Sequence, residues 1–193
     1  MKSITVFCGS SNGNQETFRQ HAYKLGQTLA EKKIRLIYGG ASIGLMGAVA
    51  DGALSNGGKV TGILPHFLQA KEIAHHGLSD LILVDSMHER KMKMHDLCNG
   101  VIALPGGFGT LEELFEMLTW GQLGLHHKPV GLLNINGFYD PLINLIQSMV
   151  DKEFLKETNQ QMLLISNNAE DLLKKMETYT PPAVGKWINK ETT

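Results

Sequence analysis

Val101-Ile102-Ala103-Leu104-Pro105-Gly106-Gly107-Phe108-Gly109-Thr110-Leu111-Glu112-Glu113 is the stretch from which the fold is read. An apolar run of strand length enters a proline and three glycines, then a helical pattern that carries two acids. Glycine permits a tight turn and lets a ligand approach the backbone, while the N–H groups of the helix's first turn have no partner of their own. Together they form an anion site, and a phosphate suits it. Two carboxylates beside a phosphate would repel it unless they address another part of the ligand, such as the sugar of a nucleotide. The stretch therefore reads as part of a nucleotide-handling enzyme.

The same order recurs along the chain. Strands are expected at residues 4–7, 34–38, 59–63, 81–84, 101–104, 130–134 and 162–165. Helices are expected at residues 15–32, from the Gly39–Gly47 run to Leu54, and at 87–98, 110–120 with an extension to 123, 139–150 and 169–176. In the first helix Phe18, Ala22, Leu25 and Leu29 recur on one face. A short amphipathic helix or lid is expected over 67–75. Such alternation predicts an α/β, Rossmann-like three-layer fold: a predominantly parallel sheet covered by helices on both faces. Residues 1–180 read as one nucleotide-monophosphate-binding catalytic domain, and 181–193, with Pro181, Pro182 and Trp187, as a C-terminal tail.

Composition narrows the function. A chain of 193 residues, 42% hydrophobic, can bury one full core. A formal charge of −1 gives no broad electrostatic reason to bind a nucleic acid polymer or a membrane, yet leaves a small anionic ligand open. No apolar run approaches the length of a membrane span, and Lys2 with the short run after it lacks the form of a signal peptide. Cys8 and Cys98 are too few for a disulfide scaffold, so a cytoplasmic setting is expected.

Candidate site residues fall on three loops and one helix start. Gly9 and Ser10 follow the first strand, Gly39 and Gly40 the second, and Gly106, Gly107, Gly109 and Thr110 the fifth; in a parallel sheet these loops converge at the strands' carboxyl ends. Neither of the first two loops has the order of a dinucleotide fingerprint, and the chain lacks a phosphate-loop nucleoside triphosphatase motif, which favours a nucleoside monophosphate. Thr110 and Glu113 also have capping-box spacing, so a purely structural reading competes with the ligand-facing one. Glu112, Glu113 and Glu116 crowd one helix start, and spacing alone does not separate Glu112 from Glu113. Arg90 lies on an apolar helical stripe with Met87, Met94 and Leu97, where it needs an anionic or hydrogen-bonding partner, either protein or substrate. His75-His76 and His126-His127 read as surface pairs without metal-ligand spacing, so no metal site is expected. Cys98 fits a small core residue.

Met87-His88-Glu89-Arg90-Lys91 followed by Leu104-Pro105-Gly106-Gly107-Phe108-Gly109-Thr110-Leu111-Glu112-Glu113 resembles the LOG family, the cytokinin riboside 5'-monophosphate phosphoribohydrolases once often labelled lysine decarboxylases. The likeness continues through Thr119-Trp120, residues 128–134 and Gly137-Phe138-Tyr139, and includes residues 8–11 and Gly39-Gly40. It implies a homodimeric enzyme that cleaves the N-glycosidic bond of AMP or N6-modified AMP, giving the base and ribose 5-phosphate without a cofactor. The family's catalytic arginine and glutamate fall on Arg90 and Glu113, and Met87, Lys91 and Glu112 on adjacent substrate-binding positions. Three questions stay open at this stage. Glu113 either activates water or stabilises charge, the preferred base is unmodified or prenylated, and the face with Leu114, Leu118 and Trp120 packs on the sheet or on a second subunit. A non-catalytic nucleotide sensor is the alternative of another class, and a pyridoxal-dependent decarboxylase is a further rival.

Overall fold

A computed structural model describes residues 1–69 and 74–182. Among these described residues seven strands, β1 (Ser3–Phe7), β2 (Arg35–Tyr38), β3 (Val60–Pro65), β4 (Asp80–Val84), β5 (Gly100–Ala103), β6 (Val130–Leu133) and β7 (Leu163–Ser166), form one sheet. Its order is β4-β3-β2-β1-β5-β6-β7, and every neighbouring pair is parallel. The chain thus builds outward from β1 to one edge, crosses back to place β5 on the other side of β1, and builds outward again. That reversal leaves a crevice between the loops after β1 and β5, the usual ligand position in an open α/β sheet.

The strands alternate as a doubly covered sheet requires. Ile4 and Val6 of β1 and Ile102 of β5 join the core under α1 (Glu16–Glu31), α2 (Gly44–Leu54) and α7 (Ala169–Glu177). Phe7, Val101 and Ala103 point the other way, into the core under α3 (Met87–Leu97), α4 (Phe108–Gln122) and α5 (Asp140–Asp151). The expected α/β class and element order are present. One additional short helix, α6 (Glu157–Gln160), lies between α5 and β7. Of the segment expected as a helix or lid, a 3-10 turn covers His66–Leu68 and Ala74 makes an antiparallel bridge to Ala41; residues 70–73 lie outside the described residues. So do residues 183–193 of the expected tail, Trp187 included.

α1 and α2 meet backbone to backbone. A Cβ on Gly26 of α1 would sit 2.1 Å from the Val49 carbonyl oxygen, and one on Gly52 of α2 would sit 2.0 Å from that of Tyr23. Reciprocal glycines let the two helices touch where any side chain would separate them.

Two helix starts decide the site. α3 begins with a variant of the capping box at Ser86-x-x-Glu89: the N-cap Ser86 Oγ accepts from the Glu89 N–H at 3.1 Å, and Glu89 Oε2 reaches back to the Asp85 N–H, one residue before the cap, at 2.9 Å. α4 begins at Phe108 with Gly107 as its N-cap and no side-chain cap. Thr110 is therefore inside the helix, and the capping box with Glu113 that its spacing permits is not formed. The amides of α4's first turn are left without a capping side chain. No helix among the described residues is long and apolar enough to cross a membrane.

Candidate active site

A cavity of about 330 Å³ opens at the crevice, walled by the loops after β1, β2 and β5 and by α3 and α4. It brings together nine of the expected residues: Gly9, Ser10, Gly39, Met87, Arg90, Gly107, Gly109, Thr110 and Glu113. They come from four segments far apart in sequence, joined by the sheet's order. Gly106 lies just behind, in the wall of a neighbouring apolar cavity, where a Cβ would fall 2.1 Å from Thr110 Oγ1. Gly40 turns away with φ of +86° and accepts a hydrogen bond from the His75 N–H at 3.0 Å.

Arg90 is only 7% exposed. Its Nη2 donates to the Gly39 carbonyl at 3.2 Å, and its Nη1 faces Met87 Sδ at 3.8 Å. Its buried Nε has no acceptor among the described residues. A buried charge this poorly satisfied is costly unless a ligand completes it. Gly39 makes the arrangement sterically feasible, because a Cβ there would lie 2.2 Å from Arg90 Nη2.

Glu113, half-buried in the second turn of α4, faces the same cavity. Burial pushes its carboxyl up to about 7; the Arg90 and Lys91 charges pull it down, and Glu112 and Glu116 push it up. It therefore exchanges a proton in the neutral range, which suits an acid–base or charge-stabilising group. The Lys91 amine donates instead to Glu112 Oε1 at 2.6 Å and to Glu116 Oε1 at 3.0 Å. Lys91 and Glu112 thus pair with each other beside the cavity and are absent from its lining.

Six further residues line the cavity that were not among the expected site residues: Val6, Phe7, Cys8, Met46, Met94 and Phe108. Phe108, 94% exposed in the middle of a glycine run, carried a readable signal, since an aromatic in such a loop has no core to fill. The methionines carried none, because their spacing is that of any buried helix face. Burial first, and then the Glu113 charge, push the Cys8 thiol well above the usual range, which disfavours the thiolate there. Among the described residues no group of three or more His, Cys, Asp or Glu side chains is placed to hold a metal ion.

Comparison with known proteins identifies the relatives of the chain. Residues 46–176 match the family model described as "Possible lysine decarboxylase". Cytokinin riboside 5'-monophosphate phosphoribohydrolase LOG2 of Arabidopsis thaliana is 45% identical over 180 residues, covering 93% of this chain and 84% of its own length. The probable enzyme LOGL1 of Oryza sativa subsp. japonica is 47% identical over 177 residues, covering 92% and 79%. Among solved structures, the molybdenum cofactor binding protein of Rippkaea orientalis superposes with a TM-score of 0.67 at 23% identity, over 92% of this chain and 97% of that one, which shows a common fold. By the extent and level of these matches, the chain belongs to the LOG family of cytokinin riboside 5'-monophosphate phosphoribohydrolases.

Proposed function

We propose that the protein hydrolyses the N-glycosidic bond of AMP or an N6-modified AMP, a cytokinin riboside 5'-monophosphate, releasing the free base and ribose 5-phosphate. One observation carries the reading: a helix N-terminus without a side-chain cap, a buried under-satisfied arginine and a carboxyl titrating near 7 share one nucleotide-sized cavity. The names of the relatives supply the substrate class.

In this reading the phosphate rests on Gly106, Gly107, Gly109 and Thr110, with Gly9, Ser10 and Gly39 closing the crevice, Gly40 shaping the second loop and Met87 lying along the nucleoside. As the bond from C1' to the base lengthens, positive charge grows on the ribose, and ionised Glu113 stabilises it and receives a proton from the attacking water. The water oxygen bonds C1', and the base leaves with the bond's electron pair and takes up a proton from solvent, Glu113 later returning its own proton to solvent. Arg90 orients the nucleotide and donates to the departing base. This division gives Glu113 a role unlike the paired carboxylates of many sugar hydrolases, for Glu112 is held by Lys91.

The proposal further takes residues 1–180 as one catalytic domain, a homodimer as the working state and the cytoplasm as its location, without a cofactor. The test is to incubate purified protein with AMP and, in parallel, N6-isopentenyl-AMP, and to measure base and ribose 5-phosphate together. Stoichiometric release of both supports the proposal. Saturable AMP binding without either product would favour a nucleotide sensor, and carbon dioxide released from lysine with pyridoxal phosphate would favour the decarboxylase.

A further inference from the structure

Arg90 and Lys91 are neighbours on α3, and Glu112 and Glu113 are neighbours on α4, so two pairs face each other across the crevice mouth. The outer members make a cross-connection, Lys91 to Glu112, and Lys91 makes a second one turn further along α4, to Glu116. The lysine side chain is 18% exposed, and Glu116 is the better shielded of its partners at 26% against 56% for Glu112. Exposed ion pairs contribute little, but charges held this far out of water act on their neighbours with less screening.

We propose that Lys91 is a positioning residue that acts through Glu113: by bridging Glu112 and Glu116 it holds α4 against α3 and shields the Glu113 carboxylate from two adjacent negative charges. This rests on the phosphoribohydrolase reading for its catalytic consequence, though not for its electrostatic one. The groups that face Glu113 are Arg90 and Lys91 from α3, Glu112 and Glu116 from α4, and the neutral thiol of Cys8 from the β1 loop. Arg90 alone opposes three carboxylates crowded in two turns once Lys91 is taken away. Glu113 then holds its proton to higher pH, and the ionised form that stabilises ribosyl charge becomes scarcer at neutrality. A lysine that touched the nucleotide directly would have a different signature, since its loss would weaken substrate binding and leave the Glu113 equilibrium where it was.

The experiment follows the Glu113 carboxyl by ¹³C NMR across pH, assigned by its disappearance in Glu113→Gln, together with the pH profile of kcat/KM for AMP. In Lys91→Met the titration midpoint and the acid limb of the profile move up together by about one pH unit. Lys91→Arg keeps both near their wild-type positions, and the triple variant Lys91→Met with Glu112→Gln and Glu116→Gln brings both back down. An unmoved midpoint in Lys91→Met overturns the proposal, as does a raised KM with midpoint and limb in place. Should Lys91→Met fail to fold, Glu116→Gln takes its place: the midpoint must fall, and a stationary one overturns the proposal. Absence of adenine release from the wild type, with the NMR shifts as described, counts against the phosphoribohydrolase reading alone.

Discussion

A shielded ionisable side chain sits near each end of α4, Glu113 within it and His126 just beyond it, and the two are treated in opposite ways. His126, 8% exposed beyond the C-terminal end, is fully engaged: its Nε2 donates to the Met117 carbonyl at 2.8 Å and its Nδ1 accepts from the Lys128 N–H at 3.1 Å. Burial pushes it down to about 4, so it stays neutral and its tautomer is fixed by its partners. Glu113, in the second turn, is equally driven toward neutrality by burial, yet Lys91 bonds the acids on either side of it and leaves it facing the cavity. A shifted group with every valence occupied is architecture. A shifted group facing an opening is chemistry waiting for a ligand.

The largest effect that can break this contrast is expected in Glu113→Gln. Base release should fall about 10²–10⁴-fold, the range for loss of a positioned acid–base group. Stability should move the other way. Because the folded carboxyl titrates near 7 rather than at its ordinary 4.5, its stabilising contribution is complete below 4.5 and is lost as pH rises through 7. Glutamine stays neutral throughout, so thermal denaturation should show the variant up to about 3 kcal/mol more stable than wild type at pH 8 and equal to it at pH 4. A variant that loses both activity and stability at pH 8 would make Glu113 a structural residue.

Next comes Gly39→Ala, whose added carbon must displace both the Arg90 guanidinium and Met46 Sδ, at 2.2 and 2.9 Å. A shift of this size should lower kcat/KM by about 10–100-fold, with the melting temperature far less affected. At the other end of the helix, His126→Ala should cost about 2–3 kcal/mol in denaturant titrations while turnover per folded molecule stays within a few-fold. Its sign with pH opposes that of Glu113: a histidine depressed to about 4 contributes stability above 6.5 that drains away as pH falls through 4. The two slopes partly cancel in the wild type between those values. Each single variant should uncover the slope of the other, and two flat profiles would undo the comparison. Smallest of all, Phe108→Ala should leave stability unchanged within about 0.5 kcal/mol, its ring being almost wholly in solvent, so any change in KM for AMP reports contact with ligand.

Local signals made the fold readable. The strand before Pro105, the glycines after each early strand and the helical stripes of Phe18, Ala22, Leu25 and Leu29 are periodic or punctuated, and their elements lie where that pattern puts them. Arg90 was readable too, because a charge on an apolar stripe has to be satisfied, and the cavity explains why it is there. Other features depend on distance across the fold and leave no mark in spacing. Whether Lys91 meets a nucleotide or Glu112 depends on how α3 and α4 pack. His126 beside His127 looked like a surface pair, and it is buried because the chain turns back under α4 to reach the Met117 carbonyl. Thr110 and Glu113 had the letters of a capping box, but α4 starts two residues earlier, at a glycine hinge that needs no cap. The box was written instead at Ser86 and Glu89, ahead of a less conspicuous helix.

The reciprocal contact of Gly26 with Val49 and Gly52 with Tyr23 has a mechanical consequence. α1 and α2 follow the β1 and β2 loops, so the half of the candidate cleft made by those loops is carried on two rods seated directly on each other at Gly26 and Gly52, where no side chain can slide or repack. Room for a bulkier base must then come from the facing half, where Met87 and Phe108 stand on separate helices and a thioether and a solvated ring can swing aside. Rigidity on one bank and adjustable side chains on the other would let a single scaffold accept bases of different girth while the phosphate end keeps its place.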